Sequence, residues 1–414
     1  MNIVKLPQYI WFEPREVPFE FPDGWQVTVH NIAGYNRPAM KPAEIKAAIS
    51  SPIGIPPLRE FARNKKEVVI LFDDMTRCTR TEEMAVFVLE ELAAAGIKEE
   101  NIRFIAAVAN HHAMTRIDMV KKLGEDIVRR FPVYNHCPFL NCKDIGTTSY
   151  GTKVSVNAEV MYCDLKIAIG QIIPHPIYGI SGGGKMIMPG VSSYESVMQH
   201  HGPSHQAWRD NRMAHGLPAS DVIDGNPWHA DALEIAKMAG LDMVVNALIN
   251  RMGETVAVFA GSLDKAYPEA VKAARTHYIA ANTMDNDIVV ANNFVKASEF
   301  NLPMGVAARA VKKEGGSVVV VDNYPDGQVI HYLFDNFGKS IGGSLFNPMI
   351  LPPHIKPIIY MEYPEGKLMG RFEKPEDILI TNKWDEVIET LEKRHGNSPK
   401  VAVYPNSDTQ IFRE

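Results

Sequence analysis

The chain has 414 residues, more than one hydrophobic core comfortably serves, so two domains are expected. Apolar residues make up 46% and charged residues 22%, and the formal charge of −6 argues against a broad nucleic-acid-binding face. No apolar run reaches membrane-spanning length and the N-terminus lacks a secretory pattern, so a cytoplasmic protein with no membrane or nucleic-acid partner is expected. The four cysteines (Cys78, Cys137, Cys142, Cys163) fit a reducing compartment; Cys137 and Cys142 have no second pair to complete a zinc site and read as buried thiols.

Met1 to Arg37 reads as an N-terminal arm with an edge strand at Gln26–Asn31, and Pro38 to Phe61 as a proline-rich stretch with a helix near Pro42–Ala48. An α/β rhythm then begins. Glu67–Phe72 is a buried strand, Asp73–Arg80 a polar turn, and Thr81–Ala95 an amphipathic helix ended by Gly96. Ile102–Ala109 is a second strand, and Thr115 caps a helix that runs through Arg130 and stops at Pro132. Lys153–Val160 and Leu165–Ile173 read as strands. Gly202 to Asn226 has the composition of a long loop or flap, followed by a helix at Trp228–Ala239 and a hairpin of Met243–Ile249 with Val256–Phe259. Tyr267–Tyr278 is a helix leading towards a second α/β unit. That unit has strands at Asp287–Ala291, Ser317–Val321, Ile358–Met361 and Val401–Tyr404, and helices at Met304–Lys313 and Lys383–His395. The alternation implies two α/β domains with mostly parallel sheets, residues 1–270 and 271–414. No internal repeat is visible.

The chain is organised around residues 167–201. After the strand come Pro174-His175-Pro176, then Gly182 to Gly184, Lys185, Pro189-Gly190 and a helix capped by Ser192 or Ser193 that ends at His200 and His201. A lysine amine and several imidazoles thus bracket a glycine-rich bend. Three predicted strands run straight into polar clusters: one into Asp73, Asp74, Thr76 and Arg77, one into Asn110, His111 and His112, and one into His175. Ligands of open α/β sheets bind at the carboxyl ends of strands, so the three clusters are expected to rim one crevice.

Each residue has a plain alternative. Arg77 is either a surface arginine paired with Asp73 or Asp74, or a fork holding a carboxylate or phosphate. His111 and His112 are adjacent, so at most one faces the site. His175, held between prolines, suits a general acid or base. The GGGK run lacks Walker spacing, and Met186 stands where a magnesium-binding Ser or Thr would be, which argues against a nucleotide triphosphatase; glycine amides around a monophosphate stay open.

These residues resemble the nickel-pincer lactate racemase family. The likeness lies in D-D-x-T-R at Asp73–Arg77, N-H-x-x-M-T at Asn110–Thr115, and I-x-P-H-x-x-x-G-x-S-G-G-x-K-x-I-x-P-G from Ile172 to Gly190, with His201 sixteen residues beyond the lysine. The resemblance implies two α/β domains with the active site in the cleft between them, and racemisation or epimerisation of a 2-hydroxy acid by reversible hydride transfer from C2. It implies a pyridinium-3,5-bisthiocarboxylic acid mononucleotide nickel cofactor joined to Lys185, a nickel ligand at His201 with His200 as runner-up, and acid/base histidines at His111 and His175. Asp74 and Arg77 would orient the substrate, while Ser181, Gly182, Gly183, Gly184 and Thr76 would surround the cofactor, the glycines by admitting it without Cβ clashes. Implied partners are a small 2-hydroxy acid and the cofactor-making proteins; a homo-oligomer stays open.

The likeness breaks where the family carries Y-Q-x-x-K in its second domain. Pro303, Met304 and Ala307 stand there, which points away from lactate and towards a 2-hydroxy acid held by other cations such as Lys296 or Arg309. Two rivals remain: a zinc metallohydrolase with His111, His175 and His201 as ligands, and a non-catalytic protein that binds the nickel cofactor.

Overall fold

The computed structural model describes residues 1–214, 222–333 and 348–413. They form two compact units. The first comprises residues 37–250 and 254–276; the second comprises 1–36, 251–253 and 277–414. Met1–Asn36, expected in the first domain, thus belongs with the C-terminal half. The reason is strand pairing and core packing: Gln26–Val29 runs parallel to Lys400–Tyr404, and a hairpin of Asn2–Gln8 and Arg15–Phe21 packs Leu6, Phe19 and Phe21 with Val290, Val319 and Val401.

In the first unit, β1 (Val68–Asp73) leads through α1 (Thr81–Ala94) to β2 (Ile102–Ala107), then through α2 (Arg116–Arg130) to β3 (Val133–Asn135). The chain returns to β4 (Leu165–Gln171), passes α3 (Tyr194–His200), α4 (Pro203–Ala214) and α5 (Pro227–Met238), and ends in the hairpin β5 (Met243–Ile249) and β6 (Thr255–Gly261). The sheet order is β6-β5-β4-β1-β2-β3, parallel except for the β5–β6 pair. Every residue of β1 and β4 is buried, which explains their continuous apolar runs in place of alternation. Thr115 caps α2 reciprocally with Asp118: its N–H donates to Asp118 Oδ2 at 2.8 Å, and Asp118 N–H donates to its hydroxyl at 3.3 Å. Because β2 and β3 lie on one side of β1 and β4 on the other, the strand order reverses between β1 and β4.

Two expectations for this unit change. The strand over Lys153–Val160 stops at Asn157, whose side chain accepts N–H bonds from Glu159 and Val160 and starts a short helix, Ala158–Tyr162. What remains of that strand pairs antiparallel with Cys142–Thr147 outside the main sheet. The expected loop at Gly202–Asn226 contains α4 and the first residues of the region that α5 follows; residues 215–221 lie outside the described set. Cys78 and Cys163 are buried as expected, but Cys137, in the segment leading to that outlying ribbon, is exposed, and Cys142, at the ribbon's first position, is half-buried.

The second unit carries a wholly parallel sheet in the order Leu379–Thr381, Ile355–Tyr360, Gly316–Asp322, Ile288–Asn293, Lys400–Tyr404, Gln26–Val29. Its helix at Asn301–Ala307 is earlier and shorter than the predicted Met304–Lys313, while Trp384–His395 matches its prediction to a residue. No helix among the described residues is long and apolar enough to cross a membrane.

Candidate active site at the sheet switch point

The turn after β1 holds two aspartates with separate duties. Asp73 Oδ1 accepts from Lys122 Nζ at 2.7 Å, and its Oδ2 accepts from Thr79 Oγ1 at 2.5 Å and from the Gln171 backbone N–H at 3.0 Å. This ties β1 to the end of β4. Lys122 is fully buried on α2 and also donates to the Arg77 carbonyl at 2.7 Å. A lysine on an amphipathic helix reads as solvated, so this anchor had no signal in the sequence.

Asp74 faces His111 instead. Its Oδ2 lies 2.6 Å from His111 Nδ1, and its Oδ1 accepts the Thr76 N–H at 3.0 Å. Burial opposes its ionisation, but the charge and hydrogen bond of His111, with the charge of Arg77, outweigh that and hold the carboxyl well below the usual carboxylate range. An ionised Asp74 keeps a proton on His111 Nδ1 and leaves Nε2 as the acceptor nitrogen. His112 is exposed, so of the adjacent pair it is His111 that joins the cluster. Arg77 Nη1 donates to the Thr76 carbonyl at 2.8 Å and to its hydroxyl at 2.9 Å. Thr76 therefore links the carboxylate to the guanidinium.

After β4, a second cluster forms around a residue that the sequence reading passed over. Tyr178 is almost fully buried, and Lys185 Nζ sits 3.9 Å from its ring centroid. The rings of His175, His200 and His201 lie 5.3, 5.5 and 5.9 Å from the same ring. A tyrosine three places after His175 is thus the platform on which the amine and three imidazoles meet. His175 Nδ1 accepts the N–H groups of Ile177 and Tyr178 at 3.1 and 3.2 Å, which puts its proton on Nε2. His111 and His175 are therefore set in opposite senses, one as acceptor and one as donor at Nε2.

His200 and His201 also differ. His201 Nδ1 donates to the Val197 carbonyl one turn back at 2.9 Å, leaving Nε2 with its lone pair, the state a metal requires. Burial and the neighbouring His200 push its pKa well down, which keeps the ring neutral. His200 Nδ1 instead meets Asp231 Oδ2 at 2.8 Å.

The glycines owe their place to the protein itself. Gly182 and Gly183 have φ of 79° and 53°, and a Cβ on them would lie 2.4 Å from Ile172 Cδ1 and 2.6 Å from Tyr267 Cδ2. A Cβ on Gly184 would lie 2.8 Å from the Ala232 carbonyl oxygen. In each of these directions the space is filled by side chains and backbone of the same unit, so the packing of the bend by itself requires glycine at these positions. Gly183 N–H donates to Asn246 Oδ1 at 3.3 Å, and Ser181 Oγ donates to the Gln171 carbonyl at 2.9 Å while accepting the Ile173 N–H at 3.0 Å. Ser181 staples the bend to β4.

The expected zinc set of His111, His175 and His201 is not assembled. Among the described residues the group with metal-ligand spacing is His200, His205 and Asp231. In the second unit, Pro303, Met304 and Ala307 are buried, and Met304 and Ala307 join the core with Phe300 and Tyr404, so these positions offer packing and no polar reach. Lys296 is buried, whereas Arg309 is exposed with its guanidinium 5.5 Å from the Phe412 ring.

The fold and this cluster define an α/β protein with an amine, imidazoles and a buried carboxylate at a sheet switch point. Comparison with known proteins agrees with that class. Residues 12–212 match the lactate racemase N-terminal domain. The chain is 29% identical to the lactate racemase of Thermoanaerobacterium thermosaccharolyticum over 320 residues, covering 75% of this chain and 73% of that one. It is 25% identical to the lactate racemase of Lactiplantibacillus plantarum over 406 residues, covering 91% and 92%. The fold is that of the Thermoanaerobacterium lactate racemase apoprotein, with a TM-score of 0.76 at 23% identity over the whole of both chains. A Thermotoga maritima structure aligns with a TM-score of 0.63 at 16% identity, covering 91% of this chain and 99% of that one. The chain is thus similar to the lactate racemases, through their N-terminal domain over residues 12–212 and through two such enzymes over most of its length.

Proposed function

We propose that this protein is a racemase or epimerase of a 2-hydroxy acid, working with a nickel-pincer nucleotide joined to Lys185. The observation that carries the reading is the gathering of Lys185, His175 and His201 on the Tyr178 ring. The donor chemistry fits such a group: a primary amine for the covalent tether and, at His201, a neutral imidazole whose Nδ1 is already committed to a carbonyl. When bound, the group supplies a reversible acceptor for the hydride at substrate C2.

The remaining work falls to the chain's own residues. Arg77, steadied by Thr76, is the cation for the substrate carboxylate. His111 takes the C2 hydroxyl proton at Nε2, and ionised Asp74 stabilises the imidazolium that results. His175 offers its Nε2–H to the substrate oxygen from its own side. For His175 to act as the base, its ring must leave the two backbone N–H groups it now accepts, so the pair is unequal in the resting protein.

The substrate we favour is a 2-hydroxy acid other than lactate, because Pro303, Met304 and Ala307 are core residues with nothing polar to extend. Substrate turnover in the cytoplasm and loading by cofactor-assembly enzymes complete the reading. The test is a chiral assay over a panel of 2-hydroxy acids, with protein produced beside the cofactor-making enzymes. Lactate as clearly the best substrate overturns the substrate assignment. Cofactor loading without turnover of any 2-hydroxy acid favours the binding-protein alternative.

A further inference from the structure

Behind the Tyr178 platform lies a second set of ligating side chains that the proposed reaction does not use. Asp231, from α5, is completely buried, as is His200 at the end of α3, and His205 at the start of α4 has a side-chain exposure of 3%. Asp231 Oδ2 lies 2.8 Å from His200 Nδ1 and 3.4 Å from His205 Nε2, and the two imidazole rings are 5.2 Å apart. The three ligand atoms fall within 4.8 Å of one another. Tetrahedral zinc with bonds of about 2.0–2.1 Å sets its ligand atoms roughly 3.3–3.5 Å apart, so modest side-chain adjustment seats an ion among them. Asp231 Oδ1 and His200 Nε2 have no hydrogen-bond partner, a costly state for an ionised carboxylate and an imidazole in a dry interior.

A hydrogen-bonded His–Asp pair explains His200 alone. It leaves unexplained why a second imidazole, on a different helix, approaches the same carboxylate oxygen. We infer that His200, His205 and Asp231 form a structural zinc site, distinct from the Lys185 and His201 centre. Thr152 Oγ1, 2.6 Å from Asp231 Oδ2, is the nearby oxygen that completes or orients the set. Two neutral imidazoles and a carboxylate are a ligand set that zinc accepts, and complete burial marks a closed, non-catalytic site. The ion would pin the ends of α3 and α4 to α5. In doing so it would hold His201, next in sequence to His200, against Tyr178.

The inference does not depend on the proposed reaction and is tested on protein made without the cofactor-producing enzymes. Full-length protein is exposed to zinc, freed of loose metal by gel filtration and analysed by elemental mass spectrometry. Wild type and Lys185→Ala should retain about one zinc per chain, with Asp231→Asn and His205→Gln losing most of it. Cobalt substitution supplies a readout of geometry: wild type should develop the intense visible bands of four-coordinate cobalt, and both variants should lose them. If Asp231→Asn does not fold, His205→Gln decides the matter. Wild type that retains no zinc, or variants that hold as much as wild type, overturns the inference.

Discussion

At the ends of β1 and β4 the first unit gathers imidazoles, an amine, a guanidinium and an ionised carboxylate. The second unit builds its sheet on the same plan, with Ile288–Asn293 first, Gly316–Asp322 and Ile355–Tyr360 on one side and Lys400–Tyr404 on the other. Its strand ends carry amides and carboxyls instead. Asn293 Nδ2 donates to Asp322 Oδ2 at 2.8 Å, Gln328 Nε2 to Asp322 Oδ1 at 3.2 Å, and the N–H groups of Phe294 and Lys296 to Asp408 Oδ2 at 3.1 and 2.7 Å. The two arrangements drive buried carboxyls in opposite directions. In the first unit, cations and hydrogen bonds overcome burial and keep Asp74 ionised. In the second, burial dominates and pushes Asp322 well above its ordinary value. A shared strand order fixes where polar groups collect, and the neighbouring charges decide what they can do.

The sharpest test of this contrast is Lys185→Ala, which should leave the fold intact and abolish turnover; intact mass spectrometry should show no covalent adduct. Next is His111→Ala, expected to lower kcat about 10²–10⁴-fold in a loaded enzyme. Asp74→Asn should have a smaller effect with its own signature. Asp74 stabilises protonated His111, so its loss lowers that histidine's pKa and moves the acid limb of kcat/KM to lower pH.

Breaking the Asp73–Lys122 pair by Lys122→Met leaves a buried carboxylate without its cation, and chemical denaturation should report a loss of about 3 kcal/mol. Asp322 probes the second unit through pH. Its folded pKa exceeds its unfolded one, so the folded state binds the extra proton. Stability therefore falls as pH rises from the usual carboxylate range towards the raised value. Asp322→Asn should flatten that fall, raising Tm by about 2–4 °C at pH 8 and changing little at pH 4. The smallest effect expected is from Ser181→Ala, about 1–2 kcal/mol in a denaturation experiment, because one buried N–H and one carbonyl lose their hydroxyl partner.

Much of this was legible in the residues alone. Continuous apolar runs marked β1, β2 and β4, and the D-D-x-T-R, N-H-x-x-M-T and P-H…G-G-x-K segments marked their polar ends, because strand burial and turn chemistry are written locally. Local pattern alone could not divide Asp73 from Asp74, or His111 from His112; only the family resemblance pointed to Asp74 and His111. Neighbours distant in sequence settle those pairs: Lys122 and the β4 backbone claim Asp73, while His111 turns to Asp74. The same holds for Tyr178, which reads as an ordinary core aromatic until folding gathers three imidazoles and an amine around it. The N-terminal arm went to the second unit because pairing with Lys400–Tyr404 is a contact between chain ends that no local pattern records. Local sequence determined which segments are strands and which residues carry chemistry. Tertiary structure decided protonation and partnership, because both depend on burial and on charges brought close only by the fold.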